Sequence, residues 1–284
     1  MEAPGDGVLL GPLRSVTELR RRRARSQVAA ASRDVLAFEW TKLRSARSNY
    51  LTLLIAAVVT IGATVIVAHA FATTHGPPPP GPITPLTASF LGYAEYTVLP
   101  VSILSVLVFT SEYGTGLIRT TFTAVPRRWA VLGAKAAVTG TAALLAGELL
   151  AFASFFLTQA VLSGRHGGLS LAQPGVPGAV LAAGLVLAAC ALVGLGLGAI
   201  VRHTAGAIAA TVAAIYLLAA ACLFLPSPWN ARIGRFTLPV AAYQVVARHP
   251  QAGLLSPALS LLVLLAWPAA ILLIAAFLIT RRDA

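Results

Sequence analysis

Long uninterrupted apolar runs, rather than stripes or alternations, organise this chain. Six of them, Tyr50–Phe71, Phe90–Thr110, Trp129–Leu162, Gly178–Val201, Ala205–Pro226 and Leu254–Thr280, match the run of about 20 residues that a helix needs to cross hydrocarbon. A membrane barrel would show short segments of alternating polarity, and these runs do not alternate. Helices satisfy their own backbone in lipid, so the pattern predicts an all-α polytopic membrane protein with six transmembrane helices. The third run is long enough to tilt, or to begin along the interface.

The segments between the runs predict smaller elements. Before the first run, Arg33–Arg44 favours helix, with Leu36, Trp40 and Leu43 on one face and Phe38 off it. Glu39 and Lys42 stand at i, i+3 and are expected to pair. This segment reads as an N-terminal interfacial helix. His75–Pro82 is a proline-rich outer linker. After the second run, Thr115 is placed to cap a short helix on which Ile118, Phe122 and Val125 share a face, and Pro126 ends it. An apolar face rimmed by arginines is suited to docking on a soluble partner. Phe236–Val246 is apolar but too short to cross, and reads as an outer re-entrant segment.

Charge sets the orientation. Of 21 Lys and Arg, 17 fall on the side that holds both termini, and only Arg165, Arg232, Arg235 and Arg248 fall on the other. Cytoplasmic loops carry such an excess, so both ends are expected in the cytoplasm. The net charge of +12 is then a topology signal and an attraction to lipid headgroups, not a nucleic-acid footprint. Residues 1–32 are expected to form a basic, flexible cytoplasmic extension, and 33–284 the transmembrane domain. Ala68-His69-Ala70 imitates a signal-peptide cleavage site, but the preceding run exceeds the usual core of about 7–15 residues, so the first span is expected to be retained.

Composition agrees. The chain is 57% hydrophobic and 11% charged, with mean hydropathy +0.82; a soluble domain carries about 25% charged residues. Cys190 and Cys222 both lie in apolar runs and read as packing residues. Gly194 and Gly198 form a small-xxx-small face for close helix approach, not a nucleotide fingerprint. No phosphate-binding loop or zinc-protease motif is present, so nucleotide hydrolysis within the chain is not expected. Glu95 and Glu148 fall inside spans. A charge at the bilayer centre costs about 2.5–3.5 kcal/mol on insertion scales, so each is a possible pathway residue or a carboxylate reaching the interface.

Three stretches carry a family resemblance: Phe38–Arg44, running to Arg47; Thr110–Thr121, followed by Pro126-Arg127-Arg128; and Gly196–Ala207. Together they resemble the ABC-2 type permease family, particularly its actinobacterial members, which are membrane subunits of ATP-driven transporters. The resemblance implies a six-helix domain in a bacterial cell membrane, paired with a second copy or a homologous permease. It also implies a separate ATP-binding cassette subunit that holds the ATP and Mg, and no cofactor in this chain. Glu39, Trp40, Lys42 and Arg44 would contact that subunit from the interfacial helix. Glu112, Tyr113, Gly116, Arg119, Thr120, Phe122, Pro126 and Arg127 would do so from a cytoplasmic coupling helix. The family expectation is export. The residues themselves leave two alternatives open: a stand-alone proton-coupled transporter using Glu95 and Glu148, and a membrane enzyme or anchor.

Overall fold

A computed structural model describes residues 34–45, 47–73, 84–124, 127–163, 168–247 and 253–281. The basic extension, the proline-rich linker, Pro126, Arg165 and Arg248 lie outside the described residues. Within them every regular element is helical. In chain order these are α1 (residues 34–45), α2 (Arg47–Thr73), α3 (Pro85–Tyr96), α4 (Val98–Gly114), α5 (Leu117–Ala124), α6 (Arg128–Leu162) and α7 (Val176–Val201). There follow α8 (Thr204–Val212), a π-helical turn (Ala213–Leu217), α9 (Leu218–Leu223), α10 (Trp229–Gly234), α11 (Leu238–Val246) and α12 (Pro257–Arg281).

Among the described residues, five helices are long and apolar enough to cross a membrane: Tyr50–Thr73, Arg128–Leu162, Val176–Val201, Thr204–Leu223 and Pro257–Arg281. These correspond to five of the six expected runs, and the chain has the build of a multi-pass membrane protein. The run expected as a single second span, Phe90–Thr110, is instead divided at Thr97 between α3 and α4. Pro100 sits just beyond this break, and its missing N–H and its ring disfavour a regular helix at the carbonyl of residue 96. The 17 residues of α4 meet α5 at a bend of 85°, and counting that pair as one broken span gives six.

The core forms around α7, which packs against α4, α6, α11 and α12. It is apolar on every face and is the most deeply buried of the membrane-length helices among the described residues. Its glycines permit the approach of α4: a β-carbon at Gly194 would overlap the Ser102 carbonyl oxygen, and one at Gly198 would lie 2.9 Å from that of Val106. The small-residue face expected from the sequence is therefore the α4–α7 seam. Buried hydroxyls link other helices, with Thr60 and Thr97 2.6 Å apart and the Tyr93 hydroxyl donating to the Ala183 carbonyl at 2.8 Å. Such cross-links suit an interior where water is absent.

The expected outer segment is a real helix. Thr237, extended at φ −73° and ψ 151°, leads into α11, and Pro239 sits in its first turn where no N–H is needed. The Trp267 indole donates to the Phe236 carbonyl at 3.0 Å, tying the approach to α11 onto α12.

Candidate functional site

One end of the bundle gathers α1, the α4–α5 bend, the start of α6, the α7–α8 turn and the end of α12. The bend depends on Gly116, whose φ of +72° strains any residue with a β-carbon. Thr115 does not cap α5 as expected. Its hydroxyl donates back to the Ser111 carbonyl at 2.9 Å and closes α4.

The apolar face of α5 turns inward. Ile118 and Phe122 are 2% and 8% exposed, packed with Phe109, Val131, Leu132, Leu195, Ala199, Ala275 and Ile279. The expectation that this face docks on a partner is corrected: the chain's own core occupies it. The periodicity identified the face, but what covers it includes Leu195 and Ala199 of α7 and Ala275 and Ile279 of α12, which lie far along the chain. The opposite face of α5 presents Leu117, Arg119, Thr120 and Thr123 to the exterior. The Thr120 hydroxyl is bonded to the Leu117 carbonyl at 2.8 Å.

Beneath α5 lies a buried charge cluster. Lys135 of α6 is 0% exposed, and its Nζ donates to Glu39 Oε2 at 2.8 Å and to Glu112 Oε1. Lys42 also donates to Glu112 Oε1. Glu39 and Glu112 are 3% and 1% exposed, so neither carboxylate is a surface contact. The expected Glu39–Lys42 pair is replaced by these longer-range pairs, because the Glu39 face of α1 is the one pressed onto the bundle. Leu36, Phe38 and Trp40 are left exposed. Two carboxylates and two ammonium groups balance, which suits burial. The balance is incomplete at the level of hydrogen bonds, since Glu39 Oε1 and Glu112 Oε2 lack a partner among the described residues.

Arginines edge the same end. Tyr113 stacks on Phe109 with centroids 5.8 Å apart, and the Arg202 guanidinium lies 5.1 Å from the Tyr113 ring. Arg202 closes α7 in the left-handed conformation at φ 60°. Arg128 lies 5.4 Å from the Phe122 ring and donates to the Ile279 carbonyl at 3.3 Å. Arg44, Gly116, Arg119 and Arg127 are exposed.

The two candidate pathway carboxylates are elsewhere. Glu148 lies 13 residues beyond Lys135 on α6, about 20 Å along the axis. Its carboxyl rests on Gly184, where a β-carbon would overlap it, and its Oε2 has no partner among the described residues. Glu95 belongs to α3, but its side chain lies outside the described residues. Sequence reasoning overlooked Lys135 as a functional candidate. The signal was available: a lysine two turns inside an apolar run requires a buried counter-charge.

Comparison of the chain with family models and with curated proteins returns no match.

Proposed function

We propose that the chain is the membrane subunit of an ABC-2 type transporter, working with a second permease copy or homologue and driven by a separate ATP-binding subunit. One observation carries this reading. The two segments that resemble the family's contact elements, α1 and the α4–α5 bend, meet on one buried lysine of α6. A push on either is thereby delivered to the same transmembrane helix. A partner can bias a conformational equilibrium only through differential contact with its states, and a shared joint of this kind supplies the connection.

The same cluster supports six crossings. α1 precedes α2 and Glu112 ends α4, yet both reach Lys135. On this reading the chain leaves along α2 and returns through α3 and α4, whose residues Pro85–Gly114 extend about 45 Å at 1.5 Å per residue. α5 is then the cytoplasmic coupling helix and α11 the outer re-entrant segment, with both termini cytoplasmic. The partner contact shifts to exposed groups: Trp40, Arg44, Leu117, Arg119, Thr120 and Arg127. ATP and Mg belong to the partner, and export is the direction proposed.

The test is co-purification with the ATP-binding subunit and its ATPase rate. Arg119→Glu with Arg127→Glu should release the partner while the permease still reaches the membrane. Retention of both the complex and its ATPase coupling would reject the docking assignment. A second reading, a proton-coupled transporter, draws on the unpartnered Glu148 Oε2. Transport by the chain alone in liposomes under a pH gradient, abolished by Glu148→Gln, would establish it instead.

A further inference from the structure

At the end of the bundle away from Lys135, a pocket of about 530 Å³ lies between α3, α7, the π-helical turn and α11. Its walls include Tyr93, Val186, Cys190, Ile215, Tyr216 and Tyr243. No Asp, Glu, Lys or Arg is among the described residues lining it. Two of its polar groups are already engaged: Tyr93 donates to the Ala183 carbonyl and Thr87 to the Thr84 carbonyl. The remaining lining is mostly aliphatic and aromatic carbon, and a mostly apolar space favours apolar ligands over ordered water.

The volume falls within the range of about 300–1,000 Å³ typical of ligand sites. Small-molecule sites usually add a few aimed polar groups that fix orientation. Here the uncharged, mostly apolar walls favour an occupant that is itself mostly apolar. The surroundings narrow it further. Leu91 and Ala94 bring the lining to the surface, and next to Tyr216 stand the exposed Leu217 and Leu218. Through Ile215 and Tyr216 the pocket also has a wall from Thr204–Leu223, one of the helices long and apolar enough to cross a membrane. The π-helical turn shapes the wall by directing Ile215 and Tyr216 into it. Such single π turns break the regular ladder and frequently mark functional positions.

We propose that this pocket is a binding site for one hydrocarbon chain of a membrane phospholipid, whose headgroup stays outside. The site is independent of the charged end and of any ATP-binding partner.

The test uses the full chain in nanodiscs containing phosphatidylcholine with a diazirine on one acyl chain, followed by photolysis and peptide mapping. Adducts are expected on Val186, Ile215 or Tyr216, alongside reference adducts on the exposed Leu273 and Phe277. Filling the pocket with Val186→Trp should lower pocket labelling several-fold and leave reference labelling unchanged. Ala242→Phe, at a half-buried rim position, should do the same, and it stands as an independent variant if the first misfolds. Absence of pocket adducts, or equal labelling in wild type and a folded variant, would overturn the site. Pocket labelling by a free diazirine-bearing alkanol but not by the phospholipid would overturn the acyl-chain assignment in favour of a separate small molecule.

Discussion

Lys135 is buried between two carboxylates, Glu39 and Glu112, and a set of charges of this kind is costly to break and contributes little over an apolar one. Its ammonium group is surrounded by Glu39, Glu112 and the face of Phe109, whose centroid lies 5.8 Å away. Removing one partner of a buried pair leaves a charge with no compensation and costs about 3–5 kcal/mol, whereas replacing the whole set is often neutral. Lys135→Met should therefore lower the thermal midpoint of the purified protein sharply. Adding Glu39→Gln and Glu112→Gln to it should recover much of the loss. If the triple variant melts no higher than the single one, charge burial is not what the cluster balances. Its distance from local pattern explains why it was hard to read: Glu112 and Glu39 stand 23 and 96 residues from Lys135. Helical spacing proposes neighbours three or four apart, and so it paired Glu39 with Lys42.

At the scale of elements, the close-packing face of α7 was legible because its cause is local, whereas its partner α4 was not. Four-residue spacing of Gly194 and Gly198 places both on one face, and only a backbone partner can use so flat a face. Gly194→Val should force α4 off α7, and a β-carbon directed at the Ser102 carbonyl leaves no side chain to yield. The expected outcome is loss of the folded monodisperse species in detergent, seen by size-exclusion fluorescence, while Gly62→Val, with nothing within 4 Å, is tolerated. The interruption of the second run was equally present in the sequence, as Pro100, but an apolar run conceals it. Pro100→Ala adds an N–H that can donate to the Tyr96 carbonyl and should restore the regular ladder from α3 into α4, raising amide-exchange protection over Val98–Val101. Unchanged exchange there would assign the break to packing instead. The direction of α5 was not legible at all. An amphipathic octet of residues fixes which side chains travel together, but the deciding neighbours, Leu195 and Ile279, lie in α7 and α12.

At the scale of the whole molecule, the number of crossings becomes a question of parity that thiol labelling can answer. Cys190 and Cys222 are both buried, so a cysteine introduced at an exposed position is the reactive one among the described residues. Between Thr120 and Asn230 the chain contains three membrane-length helices, Arg128–Leu162, Val176–Val201 and Thr204–Leu223. Three crossings put the two positions on opposite sides, whatever is decided about α4. Thr120→Cys should be labelled from the arginine-rich face and Asn230→Cys from the other. Ser45→Cys then separates five crossings from six. It lies before α2, so a five-helix chain, in which α3 and α4 do not cross, would place it opposite Thr120. Glu39 and Glu112 share Lys135, so the proposed return through α3 and α4 predicts that Ser45 falls on the same side as Thr120. In intact, sealed vesicles an impermeant maleimide should therefore treat Ser45→Cys and Thr120→Cys alike, and Asn230→Cys in the opposite way. Labelling of Ser45→Cys together with Asn230→Cys would dissolve both the six-span topology and the mechanical joint that depends on it.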